Sequence, residues 1–116
     1  MEAEFKVSVF GIMKTSTPAG RYAEDGEPGG DTVRATILEH WDKAEKIIIS
    51  FEGITSMTRT FVDEAFAKVL ETHSLEGFNE KLYFPDANDR IVKNLNDALK
   101  VRMKIIQSQK DRADMK

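Results

Sequence analysis

The stretch KIIISFEG, residues 46–53, decides how the rest of the chain is read. Ile47, Ile48 and Ile49 are consecutive β-branched residues, stiff in their side-chain torsions and favoured in strands. An uninterrupted apolar run predicts a strand at the centre of a parallel sheet, covered on both faces. Gly53 opens the turn after it. On the N-terminal side, residues 4–10 alternate, with Phe5, Val7 and Val9 on one side and Lys6 and Ser8 on the other, which predicts a half-buried strand. Behind Asp31 as N-cap, Val33, Ile37, Leu38, Trp41 and Ala44 recur at helical spacing and predict a helix over 32–45. On the C-terminal side, Val62, Ala65, Phe66, Val69 and Leu70 mark a helix over 61–72. Leu82, Tyr83 and Phe84 form a third strand stopped by Pro85, and Asp86 or Asn88 caps a last helix carrying Ile91, Leu95, Leu99, Met103 and Ile106. Strands alternating with helices imply an α/β fold: one compact domain over 1–108, with a mixed or parallel sheet of about four strands and three or four helices. The polar residues 109–116 are expected to fray as a C-terminal tail.

Composition sets the outer limits. A chain of 116 residues suits a single domain and can bury one core. An apolar content of 41% against 32% charged separates it from disordered sequences. The absence of cysteine rules out a disulfide framework and fits a reducing cytoplasm, the expected location. The opening MEAEFKVSVF carries two acids and no basic region, unlike a signal peptide, and no stretch approaches the roughly 20 apolar residues of a membrane span. The net charge of −3 is unevenly spread. From Lys100 onward six basic residues face two acids, a balance of +4, while the remainder holds 11 basic against 18 acidic residues, or −7. Basic residues at a helix C-terminus complement its dipole. With no aromatic to stack on a base, the tail gives nucleic acid little purchase.

Two segments attract functional attention. Residues 14–30 are broken by Pro18, Pro28 and several glycines into a long loop, and loops of that length are usually either functional or disordered. It carries neither a Walker A nor a dinucleotide fingerprint. Within it, Arg21 can hold a carboxylate or phosphate beside the amides around Gly26, or it can pair with Asp25 to order a turn. The second segment, Thr55 to Glu64, places four hydroxyls ahead of a helix at the carboxyl end of a parallel strand, where open α/β sheets place their crevices. A phosphate on Thr58 or Thr60 would be favoured there by the helix dipole. Thr60 with Asp63 alternatively forms a capping box. Asp63 and Glu64 are adjacent, point in different directions on a helix, and are explained by the dipole and by solvation. Two histidines, His40 and His73, with no cysteine make no zinc site, and no metal, cofactor or catalytic constellation is expected.

The loop TPAGRYAEDGEPGGDTVR, the strand KIIISFEGI and the helix TRTFVDEAFAKVL together resemble the STAS-like domains of the DUF4325 group, over about residues 6 to 106. The resemblance implies an α/β module similar to the anti-sigma-factor antagonists of bacterial partner switching. Those bind a histidine-kinase-like ATPase and are released by phosphorylation at the turn after the central strand. By position, Arg59 falls where the related antagonists carry their phosphorylated serine, flanked by Thr58 and Thr60, and the Asp-Ser-Ser-Gly pattern is replaced. The leading expectation is therefore a non-enzymatic regulatory module of bacterial or phage type. It would bind a protein through Thr58, Arg59, Thr60, Asp63 and Glu64, with Arg21, Asp25 and Gly26 lining the same edge. Two other readings stand beside it: a small phosphate- or nucleotide-binding domain with hydrolytic activity, and a homo-oligomer formed through the apolar face of the last helix.

Overall fold

The computed structural model describes residues 2–114. Alternation in the first segment gives strand β1 (Glu2–Ser8), which ends earlier than its pattern because Ser8 becomes an N-cap. Its Oγ accepts a hydrogen bond from the Gly11 amide at 2.9 Å and starts helix α1 (Val9–Met13). Val9 and Met13, four apart, point into the core from that turn. Helix α2 (Gly30–Glu39) follows the long loop, and strand β2 (Ala44–Ser50) carries the isoleucine run. The helix expected over 32–45 stops at Glu39 because Ala44 is needed in the sheet, opposite Glu2. Trp41 is buried in the intervening turn and stacks on His73. Asp31 lies inside the first turn of α2 and does not cap it; the N-cap position is Gly29.

After β2, helix α3 (Arg59–Ala65) and a 3₁₀ segment (Ala67–Glu71) replace the single helix expected over 61–72, and the chain departs from α geometry at Phe66. Phe66 meets Phe51, Phe61 and Phe84 edge-on in the aromatic centre of the core. Helix α4 (Leu75–Lys81) lies where no element was foreseen; Ser74 caps it, and Phe78 anchors it. Strand β3 (Leu82–Tyr83) precedes Pro85, and Asn88 caps helix α5 (Asp89–Asp114) through a 2.9 Å bond from the Ile91 amide. The helix runs past Ser108, to Asp114.

The strands are parallel in the order β1-β2-β3, with Phe5, Ile47 and Leu82 in one row and Lys6, Ile48 and Tyr83 in the next. Among the described residues the sheet therefore has three strands and no antiparallel member, one fewer strand than expected. The isoleucine strand is central, as its composition requires, but only one face of the sheet is covered. Val7, Ile47, Ile49 and Leu82 are buried on it, whereas Lys6, Lys46 and Tyr83 on the other are exposed and Ile48 is half-buried. Helix α3 fills the middle of the covered side, packed between α2 and α5. All its residues from Phe61 to Ala65 are buried. A helix buried all round must bury whatever charges it carries.

Candidate functional site

The site is assembled by the long loop, which is laced to the turn after β2. The Thr55 amide donates to the Ser16 carbonyl at 2.8 Å, and the Thr58 amide donates to that of Pro18 at 3.3 Å. The Thr58 hydroxyl donates to the Ala19 carbonyl at 2.8 Å while accepting from the Phe61 amide at 3.1 Å. Thr58 is thus the N-cap of α3, and Thr60, expected in that role, lies exposed in the first turn. Farther along the loop, Glu24 and Glu27 exchange two backbone bonds of 2.8–2.9 Å around Asp25 and Gly26, whose φ angles are 51° and 80°. Two successive residues with positive φ define a type I′ turn, the conformation an Asp-Gly pair favours. Asp31 fixes the loop's return by accepting from the Ala23 amide at 2.9 Å.

This lacing delivers Arg21 to α3. Its Nη1 donates to Asp63 at 2.7 Å and to Glu64 at 3.1 Å. Asp63 also receives Nε and Nη2 of Arg102, at 2.9 and 2.5 Å, a two-pronged pairing that suits a planar guanidinium. Glu64, whose side chain is 1% exposed, is met by Arg34 Nη1 at 2.6 Å and Lys68 Nζ at 3.0 Å. Four cations from the loop, α2, the 3₁₀ segment and α5 therefore surround two carboxylates. Burial pushes both carboxyls up, but the hydrogen bonds from Arg102 and Arg21 to Asp63, and from Arg34, Lys68 and Arg21 to Glu64, more than reverse that and hold both below their ordinary values. The same bonds to Asp63 raise the Arg21 and Arg102 guanidiniums. Both acids are therefore held in their ionised form near neutral pH.

Three sequence expectations are corrected here. Asp63 and Glu64 are not solvated dipole partners: they are buried, and Arg21 bridges them. Arg21 does not pair with Asp25; its anion requirement is met by carboxylates 42 and 43 residues away, while Asp25 and Gly26 form the exposed turn tip. Arg102, counted with the solvated C-terminal basic residues, is buried. Arg34, Lys68 and Arg102 were not singled out from sequence. Signals for two of them were present: Lys68 lies four residues after Glu64, and Arg102 continues the Leu95–Leu99 stripe.

Over the cluster lies a cleft of about 120 Å³ between α3 and α5. Arg21, Asp63 and Arg102 form its floor, and Arg59, Val101 and Ile105 its rim. The rim is open: the Arg59 side chain is 55% exposed, held only by a 3.4 Å contact to Asp97, and Val101 is 48% exposed. Neither histidine is near; His40 stacks on Phe5 and His73 on Trp41. Among the described residues no group of acids and histidines is arranged to hold a metal ion, and no helix is long and apolar enough to cross a membrane.

A three-stranded parallel sheet with helices packed on its covered face and its candidate surface at the start of the helix after the central strand defines a small α/β module. The family model for the STAS-like domain of unknown function (DUF4325) matches residues 29–92, just over half of the chain, and the chain belongs to that family. Within that span lie α2, β2, α3, Asp63, Glu64, Arg34 and Lys68; Arg21 and Arg102 fall on either side of it. No curated protein and no solved structure matches the chain significantly.

Proposed function

We propose that this chain is a non-enzymatic regulatory module that binds another protein through the surface formed by the Thr55–Glu64 turn, the Arg21 loop and the facing side of α5. One observation carries the proposal. Three segments remote in sequence are locked together by the ion-pair cluster, and they present an open rim of Arg59, Val101 and Ile105 above it. Buried carboxylates already saturated by cations suit a scaffold better than a reaction centre. The exposed cation with apolar neighbours suits recognition. Family membership favours a partner of the kinase-like ATPase class. Thr60 is the exposed hydroxyl that such a partner would reach, whereas the Thr58 hydroxyl is engaged in capping.

Quantitative capture from a lysate of the source organism tests this. The bait is compared with Arg59→Glu, Val101→Glu and, on the open sheet face, Lys46→Glu. A partner retained by wild type and Lys46→Glu but lost from the two rim variants supports the proposal. Equal retention by all four baits, or none above an empty bait, refutes it.

A further inference from the structure

The rim also specifies what kind of segment fits it, an inference that rests on the protein-binding function proposed above. On α5, Val101 and Ile105 are one turn apart and face the cleft. Lys104 and Arg112, three residues beyond Val101 and seven beyond Ile105, fall on the same side of the helix. With Arg59 opposite, an apolar strip is flanked by cations. Arg102 is the last buried residue of α5; from 103 to 114 the helix is exposed apart from partial cover of Ile106. From Gln107 to Asp114 every residue is exposed, about two turns of helix or roughly 12 Å at 1.5 Å per residue. Met103 and Ile105, each 36% exposed, lie at its base. A helix this short is marginal without tertiary contacts, and its exposed apolar residues give a partner something to cover.

Charge decides among occupants. The segment from Lys100 onward carries +4, so pairing two copies along α5 sets like charges against each other, which disfavours a second copy. Helix α5 contains no aromatic residue on which a nucleic-acid base could stack, and the centre of the strip is aliphatic. We propose that the occupant is an acidic, amphipathic segment of another protein. One leucine- or phenylalanine-type side chain would enter the cleft over Val101 and Ile105, with flanking Asp or Glu residues against Arg59 and Lys104. The floor of the cleft favours the same chemistry, since two guanidiniums there, Arg21 and Arg102, meet the single carboxylate of Asp63.

Peptide display on the full chain provides the test, with randomised twelve-residue peptides counter-selected against the Arg59→Glu/Val101→Glu double variant. Both positions are exposed, and the variant is accepted as folded when its melting temperature and circular dichroism match wild type; Lys104→Glu serves as a second variant. Expected are enriched peptides in which Asp or Glu flanks Leu, Ile or Phe, binding about tenfold or more weakly to each variant and weakening with salt. Enrichment of basic or uncharged peptides would overturn the proposal, as would failure to enrich any peptide above the double variant. Arg59- and Lys104-dependent binding of a single-stranded DNA probe would overturn it in favour of nucleic acid. Loss of a captured partner on Arg59→Glu, together with non-acidic peptides, leaves the binding function standing and removes only the chemistry assigned to the occupant.

Discussion

Replacing Arg102 with alanine removes both prongs that hold Asp63, at 2.9 and 2.5 Å, from a site where each side chain is only 10% exposed. Asp63 keeps one partner, Arg21 at 2.7 Å, so it is not wholly stranded. Removing one member of a buried ion pair costs about 3–5 kcal/mol, and the surviving Arg21 contact places Arg102→Ala near the lower end, about 3 kcal/mol. Arg21→Ala is the informative comparison. The Arg21 side chain is 33% exposed, so its pairs are partly screened by water. Its removal leaves Asp63 with Arg102, and Glu64 with Arg34 and Lys68. The expected cost is about 1 kcal/mol or less. Urea unfolding with an unchanged slope measures both values. A domain stable by about 5–15 kcal/mol makes a difference of 2 kcal/mol easily resolved. If Arg102→Ala cost no more than Arg21→Ala, the assignment of Arg102 as the essential partner of Asp63 would be wrong. A double change, Asp63→Leu with Arg102→Met, should recover most of the loss, because apolar replacements of buried pairs are often neutral.

Thr58→Ala should destabilise by about 1 kcal/mol through loss of the cap and of its bond to Ala19. In thermal melts Thr60→Ala should stay within about 0.5 kcal/mol of wild type, and a reversed order would return the cap to Thr60. Gly30→Ala places a Cβ 2.9 Å from that of Glu64 and 3.0 Å from the Phe61 carbonyl oxygen. It should cost about 1–3 kcal/mol by forcing α2 from α3. Gly20→Ala, which meets nothing within 4 Å, should not, and equal effects would show that α2 and α3 tolerate separation. Acid sensitivity follows from the carboxyls held below their ordinary 3.8 and 4.5. In the unfolded chain they bind protons at higher pH than in the folded one. The stability they contribute is therefore whole above about pH 4.5 and lost as pH falls through the lower folded-state values. Melting temperatures below pH 4.5 should consequently fall more steeply for wild type than for Asp63→Asn/Glu64→Gln. Parallel slopes would dissociate the cluster from acid unfolding.

The sequence by itself determined the order of the main elements. The β-branched run at 47–49 had to be a central strand, the alternation over 4–10 a half-buried strand, and the apolar stripe behind Asp86 or Asn88 a last helix. It left out α1 and α4, each a short helix started by a serine, because five to seven residues give too little periodicity to stand out from turns. It could not give the open face of the sheet either, since an isoleucine run looks alike whether one side or both are covered. Most of all, it could not give the meaning of Asp63 and Glu64. Adjacent residues on an isolated helix point about 100° apart and do not share surroundings. Only the burial of α3 between α2 and α5 brings a cation to each from its own side. Arg34 reaches Glu64 from α2, Arg102 reaches Asp63 from α5, and the loop sets Arg21 across both. Those partners lie 30 to 43 residues away. At such separations no local spacing rule applies, and the cost of leaving a buried charge unpaired selects the pairing only once the helices have packed.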